Sequence, residues 1–188
     1  MGYGLEGKKV RLAPMDFERH FDNAVRWIND LKNTTWIGTH DVPMTKVAEK
    51  DWFEARCKAG KDEMNWAIET LDGHHIGFSN LFHINYMHGT AESGSMIGDS
   101  EFRGKGHGSD AARLRAWFAF ECLGLRMLYS SYFEENEASG RMQAAAGYQI
   151  WGRKPQAMWK RGAHRTMVHT YLSREHWLTL REDQSPIT

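Results

Sequence analysis

An excess of charge of either sign is missing from this chain. Lys plus Arg and Asp plus Glu balance at 24 each over 188 residues, so no global field draws it to nucleic acid or to an anionic membrane, and only local patches are left. Cysteine is scarce: Cys57 and Cys122 each sit in a helical pattern, which argues against a disulfide framework. No apolar run approaches the ~18 residues of a membrane span, and no secretory leader is read at the start. The expectation is a reduced, cytoplasmic protein. Repeats and low-complexity tracts are lacking too, and the length suits one well-buried α/β domain over residues 1–188, with Arg181 to Thr188 as a loose tail.

What is abundant is apolar and aromatic. Eight Trp and ten Met supply a large core, with some left to line an adaptable pocket. Gly7 to Ala13 alternates and ends at Pro14, a first strand. Asp16 can cap a helix whose stripe is Phe17, Phe21, Ala24, Val25, Ile28 and Leu31. Asn33 to Pro43 is irregular and carries Trp36 and His40. Thr45 or Lys46 starts a second helix that ends at Gly60. Met64 to Glu69 and His75 to Ile84 form a hairpin, and Thr90 to Asp99 adds a third strand to an antiparallel meander. Ala111, Leu114, Phe118 and Cys122 trace a helix closed by Gly124. Met127 to Phe133 is a strand, a helix opens at Glu135 to Glu137 and closes at Gly147, and Tyr148 to Trp151 and Thr166 to Leu172 read as the last strands. Histidines 74, 75, 83 and 88 raise a metal site, but no Cys or carboxylate joins them at ligand spacing and alternation scatters them over two faces, so no metal is expected.

Between the third strand of the meander and the next helix lies Arg103-Gly104-Lys105-Gly106-His107-Gly108-Ser109. Glycines at every second position let successive backbone N–H groups converge, and the new helix adds its unpaired N–H groups and positive dipole end, the layout of an anion cradle. It is not a P-loop, because five residues separate Gly98 from Gly104 and a glycine follows Lys105. The dinucleotide fingerprint fails at Ser109, where it needs a glycine.

The order of elements from Leu5 to Trp177 resembles the GNAT superfamily of N-acetyltransferases, whose loop signature is met by Arg103, Gly106 and Gly108. Val10-Arg11-Leu12, Trp27-Ile28-Asn29-Asp30, Asn136 with Ser139, and Gly147-Tyr148 resemble its RimJ/RimL-like branch. The resemblance implies a mixed α/β (α+β) fold: a mostly antiparallel sheet of about six to seven strands flanked by helices, splayed between the fourth and fifth, Thr90 to Asp99 and Met127 to Phe133, at a bulge near Ile97. It implies acetyl-CoA as cosubstrate, with N–H groups of Met96, Ile97 and Gly98 on the pantetheine and thioester, Arg103, Gly104, Lys105, Gly106, His107, Gly108 and Ser109 on the pyrophosphate, and Asn136 on the pantetheine.

Direct attack by an amine in a ternary complex then needs a proton acceptor, since alkylammonium groups have pKa values near 10. Glu92 is the first choice, sharing a strand face with Met96; Asp99 and Glu121 are weaker. For the leaving thiol, many members of the superfamily have a Tyr where this chain has Gln143, so Ser139 is the other candidate, either as acid or as a mere helix cap. Acceptors in the branch include protein N-termini, polyamines and aminoglycoside-type antibiotics. Choice among them should lie with Trp36 and His40, with His83 in the hairpin to Gly89, and with Trp151 in the basic segment to Ala163, whose charge favours an anionic acceptor over a polycation. A small-molecule amine or peptide N-terminus is the expected partner, with no nucleic acid or membrane, and a homodimer is left open. The competing reading is a CoA-binding module without catalysis.

Overall fold

The structure, a computed structural model, describes residues 5–38, 41–58 and 60–180. One open sheet holds β1 Leu5–Glu6, β2 Val10–Pro14, β3 Met64–Thr70, β4 His75–Asn85, β5 Thr90–Ile97, β6 Met127–Phe133, β7 Gln149–Lys160 and β8 Ala163–Ser173. Spatial order is β1-β2-β3-β4-β5-β6-β8-β7, and only the β5–β6 pair is parallel. The helices are α1 Phe17–Ile28, α2 Leu31–Thr34, α3 Lys46–Cys57, α4 His107–Trp117, α5 Glu137–Ala145 and α6 Arg174–Leu180. Among the described residues no helix is long and apolar enough to cross a membrane.

Eight strands replace the expected six or seven. The added one, β1, forms because the chain turns at Gly7: its N–H reaches Val10 O at 2.8 Å, and the buried Asp110 carboxylate accepts from Lys9 N at 2.8 Å and Val10 N at 3.1 Å. The basic segment from Trp151 to Ala163 continues the sheet as a hairpin. β7 and β8 run on to a two-residue turn at Arg161 and Gly162, both left-handed with φ of 48° and 81°. Alternation failed to show β7 because it is the sheet edge and most of its side chains are exposed.

On one face, α4 sets Ala111 and Leu114 against Val10, Leu12, Ile68 and Ile76, and Ala112 and Ala116 against Leu81, Ala91 and Leu128. Its alanines allow the close approach. On the other, α1 and α3 place Phe21, Ala24 and Phe53 on Phe78. The buried stripe of α1 is His20, Phe21, Ala24 and Trp27, whereas Leu31 lies outside it in α2 and is exposed. A polar partner explains the shift: His20 Nε2 donates to the buried Glu69 carboxylate at 3.0 Å while its Nδ1 accepts from Asp16 N at 2.9 Å. His75 is likewise fixed in one neutral tautomer, donating from Nε2 to Gly77 O at 3.0 Å and accepting from Asn23 at 3.1 Å.

Burial holds both imidazoles below their ordinary pKa, and His75 is pushed down to about 3. Between that value and about 6.5 the unfolded chain binds the extra proton at His75, so its contribution is complete above pH 6.5 and is lost as pH falls towards 3. Going from pH 7.5 to 4.5, His75 alone should remove about 2 to 3 kcal/mol. Urea unfolding of the wild type and of His75→Gln at the two pH values checks this: the variant should lose less on acidification.

Candidate active site

The sheet opens between β5 and β6. Their ladder is short, Thr90 to Glu92 against Met127 to Tyr129, and serine hydroxyls take the next rungs: Ser93 Oγ donates to Tyr129 O at 3.0 Å and Ser130 Oγ to Ser93 O at 2.9 Å. Tyr148 Oη closes on Ser93 Oγ at 2.8 Å. Beyond this point β5 keeps to β4 and β6 to β8.

Gly98 N and Asp99 N both donate to Ile76 O, at 2.9 and 3.2 Å, a bulge one residue beyond Ile97. Since Gly98 N–H points to β4, strand alternation turns the N–H and C=O of Ile97 and Ser95 the other way, into the opening. Arg103 Nε on Ile97 O at 2.9 Å agrees with that direction. Of the three expected backbone donors, Ile97 therefore faces the gap, Met96 faces β4 and Gly98 is spent on Ile76. Ser95 N–H is a donor that the sequence reading missed. Gly98 has a different use: a Cβ there would lie 2.0 Å from Trp27 Cδ2, so only glycine lets Trp27 seat beneath the bulge.

The loop that follows is built as a cradle. Gly104 and Gly106 adopt left-handed φ of 70° and 86°, and Gly106 is the cap residue of α4 with no side chain bonded to the helix end. By contrast α1, α2, α3 and α5 are capped by Asp16, Asp30, Thr45 and Asn136. The amino end of α4, at His107, Gly108 and Ser109, is thus left for an anion. Lys9 Nζ braces the loop at Lys105 O, 2.7 Å away, and His107 donates to Phe102 O at 3.1 Å. The Arg103 guanidinium turns inward, bonding Asn33 Oδ1 at 2.6 Å as well as Ile97 O. Gly108 permits close packing on α5, since a Cβ would stand 3.3 Å from Met142 Sδ. An open donor edge leading to an uncapped glycine loop fits an acyl donor with a phosphate handle.

On α5, Asn136 Oδ1 accepts from Ser139 N at 3.2 Å, so Asn136 is the cap and Ser139 is not. Gln143 is buried, with Oε1 2.5 Å from Thr170 Oγ1 and Nε2 3.4 Å from Ser139 Oγ. Glu92 stands on the last ladder rung before the opening, half exposed, and His83 Nδ1 lies 3.0 Å from its Oε1. His83 reaches it from a left-handed φ of 52° at the register shift between Phe82 and Asn85. Next to this pair is a cleft of about 330 Å³ lined by Arg56, Asp62, Glu63, Asn80, Phe82 and His83. A larger depression of about 610 Å³ between α1 and α3 holds none of these groups.

The other acceptor candidates are dispersed. Trp36 tilts against Phe133 at 5.9 Å beneath Arg165, Trp151 lies open at the sheet edge beside His169, and His40 falls outside the described residues. The basic segment is largely neutralised. Asp41 accepts from Lys160 Nζ at 3.0 Å and Arg161 Nε at 2.9 Å, which holds its carboxyl well below the usual range, and Arg153 pairs with Glu134 at 2.9 Å and Arg165 with Glu135 at 3.1 Å. The sequence-based preference for an anionic acceptor loses its basis, because acidic partners from distant loops could not be foreseen. The histidines are equally dispersed, His74 to Asp99 and His83 to Glu92, and among the described residues no group of His, Cys, Asp and Glu is gathered to hold a metal ion.

Comparison with known proteins agrees with this geometry. The "Acetyltransferase (GNAT) domain" family matches residues 9–149. The spermidine N(1)-acetyltransferase of Escherichia coli (strain K12) is 24% identical over 171 residues, covering 90% of this chain and 88% of that protein. The spermidine N-acetyltransferase from Vibrio cholerae, solved in complex with CoA and spermine, superposes with a TM-score of 0.82 at 17% identity over 90% of this chain and 98% of that one. A GCN5-related N-acetyltransferase from Brucella melitensis gives 0.78 at 23% identity, over 95% and 82%. With the family profile spanning most of the chain, the splayed sheet beside the glycine loop belongs to a member of the GNAT acetyltransferase family, an acyltransferase that uses acetyl-CoA.

Proposed function

We propose that this enzyme acetylates a primary amine of a small polycation of the polyamine type, by direct attack within a ternary complex. The observation that carries the reading is the charge pattern of the acceptor side. Arg153, Lys160, Arg161 and Arg165 are paired with Asp41, Glu134 and Glu135, while Asp62 and Glu63, the latter paired with Arg56, line the cleft beside His83, whose ring reaches Glu92 on the last rung before the opening. Glu92 takes the proton that the ammonium must lose, the N–H groups of Ile97 and Ser95 face the reacting carbonyl, and the residues from Gly104 to Ser109 hold the pyrophosphate. Ser139, free of the capping role, is the nearest hydroxyl donor on α5. Placement in the RimJ/RimL-like branch, a single domain over the whole chain and a cytoplasmic setting are parts of the same proposal.

A panel of spermidine, spermine, an aminoglycoside and ribosomal-protein N-terminal peptides, followed by release of free thiol from acetyl-CoA, tests it. A polyamine should exceed the peptides in kcat/KM by about tenfold or more, the scale of one well-placed ionic contact. Faster turnover of a peptide or aminoglycoside would overturn the acceptor class. CoA binding with no turnover on any amine would overturn catalysis itself.

A further inference from the structure

We propose that Arg115 supplies the positive charge that stabilises the sulfur leaving group of the acyl transfer; this rests on the opening between β5 and β6 being the acetyl-CoA site. Arg115 lies on α4 and is only 1% exposed, a burial rare for arginine without an anionic partner. Its Nη1 donates to Ser79 Oγ at 2.9 Å, to Gly94 O at 2.5 Å and to Ser95 Oγ. All three acceptors are neutral. Among the described residues no carboxylate forms an ion pair with it, and its Nε is buried with no acceptor at all. A guanidinium does not lose its proton at any accessible pH, so a full charge is held in the interior against a large desolvation cost. Tying β4 to β5 does not require that charge, since a neutral donor of the same length would bridge the same oxygens.

Its position says where the charge is used. Gly94 and Ser95 are the first residues of β5 past Ser93, the last residue bonded to β6, so the guanidinium lies against the β4–β5 pair beside the start of the opening. It occupies the α4 face of the sheet, the face on which Ser93 meets Tyr148 just after α5. When the amine nitrogen bonds to the thioester carbon, the C–S bond breaks with its electron pair on sulfur, and the amine proton leaves by way of Glu92. The sulfur anion takes a proton only afterwards, from solvent. The buried Gln143 amide, turned to Thr170, is no acid. A fixed cation in a site of low dielectric constant is effective against such a charge because it needs no reorganisation as the charge forms.

The test reads the thiol directly. CoA bound to the wild type, Arg115→Met and Arg115→Lys is titrated by thiolate ultraviolet absorbance, alongside kcat and KM. The wild type should lower the titration point of the bound thiol by about one pH unit or more relative to free CoA, a tenfold change in thiolate fraction. Arg115→Met should return it to the free value and lower kcat by about tenfold or more, with KM for acetyl-CoA nearly unchanged. Arg115→Lys, which keeps the charge but not the fork of hydrogen bonds, should retain most of the shift. Equal titration points in wild type and Arg115→Met would overturn the inference. If Arg115→Met does not fold, loss of the shift in a folded Arg115→Lys, or a wild type that binds CoA without shifting its thiol, would do so. A wild type that binds no CoA would instead overturn the site assignment.

Discussion

Glu92→Gln should lower kcat/KM for the amine by about 100-fold or more at pH 7, the usual worth of a positioned general base. The loss should shrink steadily as pH rises towards 10, where the amine is neutral without help. Glutamine keeps the shape and can still meet His83 Nδ1, now 3.0 Å from Glu92 Oε1, but it takes no proton. The position on the last rung of the β5–β6 ladder is what gives this change its large effect, since an exposed strand carboxylate elsewhere would contribute little. A pH–rate profile at amine concentrations well below KM, with saturating acetyl-CoA, is the measurement. A profile with the same shape in both proteins would remove Glu92 as the base and leave it as a ligand for the cation.

Gly106→Val should weaken CoA binding by about tenfold or more, measured by calorimetry without any amine present. Gly106 sits at φ 86°, a conformation closed to a β-branched side chain, and it is the uncapped start of α4. A Cβ there would also crowd Lys9 Nζ at 3.3 Å, the group that braces the loop through Lys105 O. Relief of the strain, on the order of 1 to 3 kcal/mol, has to move the N–H groups of His107 to Ser109. Gly162→Val is the matched control. It carries similar strain, at φ 81° in the β7–β8 turn, with no atom within 4 Å of its Cβ. It should leave the CoA affinity at the wild-type value, and equal weakening in both variants would mean that general destabilisation, not the loop, is being read.

Much of the scaffold was legible because its signals are local. Asp16 and Thr45 stand where an N-cap belongs, and both cap their helices. Alternation marked β3, β4, β5 and β6 close to their ends. Legibility failed where the partner is remote. His20 is buried in α1 only because Glu69 meets it from β3, 49 residues away. Lys160 and Arg161 read as a basic surface until Asp41, 119 and 120 residues away, is brought against them. Ser139 read as either an acid or a helix cap, but the cap is Asn136, a choice made by the backbone angle at the helix start.

By itself the sequence determined the family, the order of the elements and the glycine loop between β5 and α4, because helix caps, two- and 3.6-residue periods and left-handed glycines act over a few bonds. Which backbone donors face the opening, and which charges are neutralised or buried alone, only the tertiary structure decided. The antiparallel register of β5 on β4, which ends in the bond from Gly98 to Ile76, sets the direction of the N–H groups on β5. Likewise the charge of Arg115 is a solitary one only because the sheet shuts it in with neutral oxygens. Both depend on chain segments meeting from far apart, and contacts of that range have no signature in the local sequence.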